Sequence, residues 1–317
     1  MQIKHINKIW LSMLALMMLQ MAPFGSTLAG ADVELRNAAM IDDFETIEIL
    51  LDKGVNVNAT NEFGRSALMN AVENGNIITA SLLLTRGANV NQTTVAGCTA
   101  LTFAAENNQT ELSALLLERG ADMNARTRSG WDSLMISSRY GNKDMVEQLL
   151  FKGASTTQTD QFGLTALAMA AQFGHREIVV RLIKSGALME VGDKHGKTPL
   201  IHATSHGHLG PMRALLEAGA DINNPSFDGA TPLIWAAGED QLEAAKLLLR
   251  HGANINAQDL RGITPLMEAI TTRNEDLIEL FISKGADLKL FNKEGKTALD
   301  IARSSRKESI RNLFSDK

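Results

Sequence analysis

The chain has 317 residues, of which 44% are hydrophobic, 21% charged and 5% aromatic, and its formal net charge at pH 7 is -5. This composition is close to the average of soluble globular proteins and singles out no class by itself. The acidic charge and the lack of a Lys/Arg-rich run argue against nucleic-acid binding, which depends on neutralising phosphates. Cys98 is the only cysteine, so an intramolecular disulfide is excluded.

The amino terminus has the pattern of a secretion signal. Lys4 and Lys8 precede an apolar stretch, residues 9–22, which is too short to span a bilayer comfortably. An A-x-A cleavage site ends at Ala31, so we predict a signal peptide over residues 1–31 and a periplasmic or secreted mature chain without a stable membrane anchor. Its removal changes the net charge to -7, because residues 1–31 contain two lysines and no acidic residue. An uncleaved signal anchor is the alternative.

The rest of the chain is organised by a period of 33 residues. Glycines recur at this spacing in two registers, which is the signature of a repeat architecture. One register follows apolar helical runs, where glycine ends a helix in a left-handed conformation, and the other marks the turn before the next helix. The first comprises Gly54, Gly87, Gly120, Gly153, Gly186, Gly219, Gly252 and Gly285, and the second Gly64, Gly97, Gly130, Gly163, Gly196, Gly229, Gly262 and Gly295.

A helix is predicted to begin two residues after each turn glycine. All eight residues at that position have side chains that can cap a helix amino terminus. They are Ser66, Thr99, Asp132, Thr165, Thr198, Thr231, Thr264 and Thr297. Pro199, Pro232 and Pro265 follow three of them, in the first helical position, where a missing N–H costs nothing. A leucine and a small residue follow in each copy, and a second, bulkier apolar helix completes the unit.

The segments GKTPLIHA, GATPLIWA, GANVNQ and GANINA resemble the motifs of the ankyrin repeat, and the resemblance extends from Asp32 to the carboxyl terminus. It implies an all-α ankyrin-repeat solenoid, in which each 33-residue repeat has two antiparallel helices and a β-turn or hairpin loop. Such units are too small to fold alone and bury their core against one another. The predicted repeats are 32–63 as amino-terminal cap, 64–96, 97–129, 130–162, 163–195, 196–228, 229–261, 262–294, and 295–317 as carboxyl-terminal cap.

One departure from the family is systematic. The family's histidine after the leucine is replaced in every copy, so its Thr–His hydrogen bond is absent and helix starts must depend on caps and apolar packing. The replacements are Met69, Thr102, Met135, Ala168, Ile201, Ile234, Met267 and Asp300. His175 and His208 instead fit the family's Gly-His at the start of the second helix, a structural role.

A helical projection from the core leucine places a set of aromatic and apolar residues in the concave groove of the central repeats. We predict that these side chains, together with one at a turn tip, bind a protein partner, because exposed aromatic residues commonly anchor interfaces. The alternative is that they pack against their counterparts in the next repeat. The predicted partner-binding residues are Phe103, Trp131, Ile136, Tyr140, Met169, Phe173, His202, His206 and Trp235. Phe63, Phe162 and Phe227 lie at neighbouring tips.

No catalytic or phosphate-binding motif stands out from the repeat pattern, so the sequence predicts a monomeric, non-enzymatic interaction module that needs no cofactor. Its expected partner is a protein, without nucleic acid. Two alternatives remain open. The protein is an effector or inhibitor of a foreign protein, or it is a metal-binding or redox-linked accessory protein that uses Cys98 or the weak metal candidates His202, His206 and His208.

Overall fold

A computed structural model describes residues 28–315, which form two compact units, residues 28–89 and residues 90–315. All regular elements in this range are α-helices; it contains no strand, and an isolated β-bridge joins Thr159 to Thr165. The all-α class predicted from the sequence is therefore confirmed. Most of the predicted signal peptide, residues 1–27, lies outside the described residues.

The first unit contains four helices, α1 (Leu28–Ile41), α2 (Phe44–Asp52), α3 (Ala67–Glu73) and α4 (Ile77–Thr85). Helix α1 packs against α3, and α2 packs against α4. Its core contains Leu35, Ile47, Leu68 and Leu83, all almost completely buried. Because α1 begins at Leu28, the bond after Ala31 at which cleavage is predicted lies inside a helix, and the Ala31 side chain is buried.

The second unit repeats the same helix pair seven times within residues 90–315. The first helices of successive pairs pack against one another, and so do the second helices of all but the last pair. Fully buried alanines on the first helices, such as Ala104, Ala170 and Ala236, allow this close approach. The helices are α5 (Ala100–Glu106), α6 (Thr110–Glu118), α7 (Ser133–Tyr140), α8 (Lys143–Phe151), α9 (Ala166–Gln172), α10 (Arg176–Lys184), α11 (Pro199–Ser205), α12 (Leu209–Glu217), α13 (Pro232–Gly238), α14 (Leu242–Arg250), α15 (Pro265–Thr272), α16 (Glu275–Ser283), α17 (Ala298–Arg303) and α18 (Glu308–Asn312).

Seven of the eight predicted amino-terminal caps are present. Seven side chains accept a hydrogen bond from the backbone N–H three residues further on, as Asp132 does from Met135 at 2.8 Å. Thr231 is the exception, since its buried hydroxyl has no hydrogen-bond partner among the described residues. The cap expected there is wrong, although the α13 helix still begins at Pro232.

The turns of the second unit are joined by backbone hydrogen bonds of 2.7–3.1 Å. In each, an N–H of one turn donates to a carbonyl of the turn before it, for example Lys194 to Phe162. Gly163 is required by this close approach, because a Cβ there would lie only 2.9 Å from the Lys194 nitrogen. The hydrogen-bonded pairs are Arg128–Ala96, Gln161–Ser129, Lys194–Phe162, Phe227–His195, Leu260–Asp228 and Lys293–Arg261. The turns are thus aligned beside the first helices.

A third left-handed position lies between the two helices of every pair except the last, α17 and α18. It is glycine in four copies, including Gly141, but Asp42, Asn108, Asp240 and Arg273 also adopt positive φ there. The glycine spacing alone did not reveal this position, because Asn, Asp and even Arg replace glycine where the surrounding structure holds the conformation.

Candidate functional site

Three of the predicted partner-binding residues are buried. Ile136, Met169 and His202 are only 5%, 1% and 5% exposed, so the expectation that they face solvent is wrong. The helical projection placed them opposite the core leucine, but adjacent first helices pack on both sides of these positions. For His202, Asp193 from the preceding turn also covers the ring. These three residues belong to the interior of the second unit.

The other six predicted residues are at least partly accessible. Tyr140 and Phe173 are 50% and 37% exposed, and His206 is exposed. Phe103, Trp131 and Trp235 are half-buried. At the tips, Phe63 in the first unit and Phe162 and Phe227 in the second are all more than half exposed. The second unit therefore presents several aromatic side chains on its turns and first helices.

Trp131 lies directly after the turn glycine Gly130, in the loop before α7. Its indole Nε1–H donates to Asp160 Oδ2 of the next turn at 3.0 Å. The other oxygen of Asp160 accepts the backbone N–H groups of Phe162 and Leu164, which fixes the carboxylate. The Trp131 ring is thus held by a buried, rigid acceptor.

Arg139 joins Trp131 to Phe173. Its guanidinium carbon lies 5.0 Å from the centre of the Trp131 ring and 4.2 Å from that of Phe173. Cations at these distances are attracted to the negative face of an aromatic ring. The two rings come from consecutive repeats, so Arg139 links them.

Tyr140 follows Arg139 at the end of α7 and is 50% exposed. Partial burial and a hydrogen bond with Glu106 raise the pKa of the Tyr140 phenol. Its hydroxyl therefore stays protonated at neutral pH, and its single O–H donates to the Glu106 carboxylate.

Trp235 lies on α13 and has an equivalent set of contacts built from different residues. Lys197 Nζ lies 3.6 Å from the centre of its ring, and its Nε1–H donates to Ser226 Oγ at 2.9 Å. Around it is an open pocket of about 550 Å³. This pocket is lined by Lys194, His195, Lys197, Phe227, Asp228 and Trp235.

His202 forms a buried pair with Asp193 beneath this pocket. Its Nε2 lies 3.2 Å from Asp193 Oδ2. Burial lowers the pKa of His202 to about 4, and this effect outweighs the attraction of the Asp193 carboxylate. Asp193 Oδ1 accepts the backbone N–H groups of His195 and Lys197, so the same carboxylate orients the turn that carries Lys197.

The remaining histidines have structural contacts. His206 Nδ1 lies 2.9 Å from the His202 carbonyl, and its ring stacks on His208 with centroids 6.0 Å apart. His175 Nε2 lies 2.9 Å from the Arg139 carbonyl, consistent with the structural role predicted for it. Residues 28–315 bring together no group of three His, Cys, Asp or Glu side chains suited to a metal ion. Cys98 is a half-buried free thiol.

Arg139, Lys194 and Lys197, the cations close to these aromatic rings, were not predicted from the sequence. Basic residues at turns and helix ends are common, and no spacing in the sequence marks them as partners of aromatic rings. The sequence indicated this part of the molecule only through the aromatic residues that cluster in its central repeats. We call the face formed by Trp131, Arg139, Phe173, Lys194, Lys197 and Trp235 the inner surface.

A family model described as ankyrin repeats (3 copies) matches residues 35–127, 134–226 and 233–317. No curated protein matches the chain. Among the helices between residues 28 and 315, none combines the length and the apolar character needed to cross a membrane.

Proposed function

The chain belongs to the ankyrin-repeat family, and on that premise we propose that it is an exported module that binds a protein partner through its inner surface. Ankyrin repeats are general protein–protein interaction modules and are typically not enzymatic. The observation that carries the proposal is that Trp131 and Trp235 are both partly accessible, and each is fixed by a cation on its ring and by a hydrogen bond from its indole N–H.

Fixed aromatic side chains are suited to protein recognition. They offer a large contact area and, because neighbouring groups already restrict their rotamers, little conformational entropy is lost on binding. Phe173 and Tyr140 extend the accessible aromatic area between the two tryptophans along the chain. The anchors of the proposed interface are therefore Trp131, Tyr140, Phe173 and Trp235, with Phe103 and His206 as further contacts.

Export is proposed from the amino-terminal sequence pattern alone. Cleavage after Ala31 would cut inside helix α1, where Ala31 is buried. Processing therefore has to precede the folding of α1. Amino-terminal sequencing of the exported protein should begin at Asp32; a mature chain that retains residues 1–31 would contradict cleavage at this site.

The binding proposal is tested by affinity capture from the exported fraction, with a Trp131→Ala/Trp235→Ala variant as bait. Removing an interface hot spot costs about 2 kcal/mol or more, so the double variant should lose partner binding by well over tenfold. Because both tryptophans are half-buried, a second variant, Tyr140→Ala/Phe173→Ala, removes the more exposed anchors and should also weaken binding.

The matched control is Phe151→Ala, which removes an aromatic side chain that is 87% exposed at the end of the second helix α8. It should leave binding unchanged. Circular dichroism and thermal melting establish that each variant is folded. A folded double tryptophan variant that still captures the partner at wild-type affinity would contradict the proposed surface.

No contact among the described residues favours the metal-binding or redox alternative, so neither is proposed. His202 is buried against Asp193, whereas the His206 ring is hydrogen-bonded to the backbone carbonyl of His202.

A further inference from the structure

The inner surface carries cations that have no acidic partner. Within residues 28–315, Arg139, Lys194 and Lys197 form no ion pair, although the chain as a whole has a net negative charge. Arg139 and Lys197 instead lie over the rings of Trp131, Phe173 and Trp235. Partly exposed cations and aromatic rings therefore lie next to one another on this surface.

Three acidic residues beside the inner surface are largely buried and already bonded, whereas others of the same repeats, such as Asp144 and Glu177, are exposed on the second helices. Asp132 caps α7, Asp160 accepts the Trp131 indole and two backbone N–H groups, and Asp193 holds its own turn and faces His202. Their charge is directed inward. The exposed acid in the pocket, Asp228, accepts hydrogen bonds from Ser226 and Ala230.

Elsewhere in the second unit some cations also form no ion pair among the described residues, such as Lys293, whereas others are paired. In the following repeats Arg261 is paired with Asp259 at 2.8 Å, and Lys296 is paired with Glu294 at 2.9 Å. Their positive charge is therefore neutralised within the chain, and an anionic ligand would gain less from them. Arg139, Lys194 and Lys197 differ from these two paired cations, and they lie between Trp131 and Trp235 along the chain.

From this charge pattern we infer that the inner surface recognises an acidic segment of the protein partner, with one carboxylate bound to Arg139 and another to Lys197 and Lys194. The inference rests on the proposed function. The Arg139 guanidinium lies over two rings and hydrogen-bonds Tyr140, but with five N–H donors it has others for a carboxylate, and its restricted orientation costs little entropy on binding. The lysines provide a second, less directional site.

The spacing of the two sites sets the length of the segment. Arg139 lies in the last turn of α7. Lys197 precedes α11, which lies two repeats further along the second unit. Packed helices lie about 8–10 Å apart, so the two cations are separated by about 20 Å. An extended chain covers this distance with about six residues. The expected ligand therefore has acidic residues about six positions apart, with apolar or aromatic residues between them.

The test is selection of a random twelve-residue peptide library on the purified chain, followed by affinity measurement of the enriched peptides. Enriched sequences should be acidic, and their affinity should fall as sodium chloride is raised from about 0.05 to 0.5 M, because salt screens exposed charges. An Arg139→Gln/Lys197→Gln variant should bind them about tenfold more weakly or worse.

The matched control is Lys184→Gln/Arg213→Gln, which removes the same charge from exposed positions on the second helices α10 and α12. It should bind the acidic peptides like the wild type. Melting curves of both variants verify that the repeats are folded.

The other outcomes separate the inference from the proposal on which it rests. Enrichment of peptides without acidic residues, or equal binding of acidic peptides by the Arg139/Lys197 variant, overturns the inference but leaves a protein-binding surface. Binding of a twelve-nucleotide oligothymidine as tight as that of the acidic peptides overturns it in favour of a general anion site. If no peptide is enriched, the result counts against the proposed function of this surface, and the inference falls with it.

Discussion

Trp131 and Trp235 are held by the same two kinds of contact, but the contacts come from opposite parts of the repeat. Trp131 lies in a turn and receives its cation, Arg139, from a helix. Trp235 lies on a helix and receives its cation, Lys197, from a turn. In both, the indole N–H donates to a polar side chain of a turn, Asp160 or Ser226.

The repeat backbone therefore allows the same arrangement of an indole, a cation and a hydrogen-bond acceptor to be built from either side. The turns lie beside the first helices, so an aromatic ring on one can meet a cation on the other. The two settings also differ in charge, since Trp131 is bonded to a carboxylate and Trp235 to a neutral hydroxyl.

The largest loss of stability is expected from the core between the surroundings of Trp131 and those of Trp235. Leu167 on α9 is fully buried, and α9 packs against both α7 and α11. Leu167→Ala should lower the free energy of unfolding by about 2–5 kcal/mol, because it leaves a cavity. Leu188→Ala, at a 59% exposed position, should change it by no more than about 0.5 kcal/mol. A denaturant titration in which both variants have equal stability would show that α9 does not form this core.

The second effect is a pH-dependent change in stability that arises from His202, near Trp235. Because burial lowers the pKa of His202 to about 4, the unfolded chain, with a histidine pKa near 6.5, binds a proton that the folded chain does not. The titration of His202 therefore leaves stability unchanged with pH above about 6.5, and it destabilises the fold progressively as the pH falls towards 4, by about 3 kcal/mol.

Chemical denaturation of the wild type and of His202→Gln at several pH values measures this effect. The stability difference between the two proteins should change between pH 6.5 and 4 and be constant above that range. His206→Gln, which removes an exposed ring, serves as the control. A His202→Gln variant whose stability follows the wild-type pH profile in parallel would show that His202 does not contribute.

A smaller effect distinguishes the two indole hydrogen bonds directly. Trp131→Phe removes a bond to the buried Asp160 carboxylate and should cost about 1.5–3 kcal/mol, whereas Trp235→Phe removes a bond to the Ser226 hydroxyl and should cost about 0.5–1.5 kcal/mol. Urea denaturation of both variants checks the order. A larger loss of stability for Trp235→Phe would mean that the hydrogen bond to the Asp160 carboxylate is not the stronger of the two.

The smallest effect concerns the cap before the Trp235 helix. Thr231 is buried with an unbonded hydroxyl, so Thr231→Val should stabilise the protein by about 1 kcal/mol. Thr198 caps α11 through a hydrogen bond to Ile201, so Thr198→Val should destabilise it by about 0.5–2 kcal/mol. Thermal melts should shift in opposite directions, and a parallel shift would mean that Thr231 acts as a cap after all.

Much of the fold and part of the site followed from the sequence. The helix starts at Asp132 and Thr165 and the turn glycines such as Gly163 were predicted because caps and left-handed residues are local requirements of the backbone. Of the site, the aromatic residues were identified, but the projection of one isolated helix could not account for neighbours packed on both sides. Ile136 and Met169 were therefore placed at the surface, although they are buried.

The sequence by itself determined the period, the helix pairs and the family, because each depends on residues close together in the chain that recur in phase. Only the tertiary structure decided which side chains face outward and which meet. Trp131 and Asp160 are 29 positions apart, and Arg139 joins two aromatic rings on different repeats. Such contacts depend on how repeats pack and on side-chain rotamers, and neither leaves a periodic trace in the sequence.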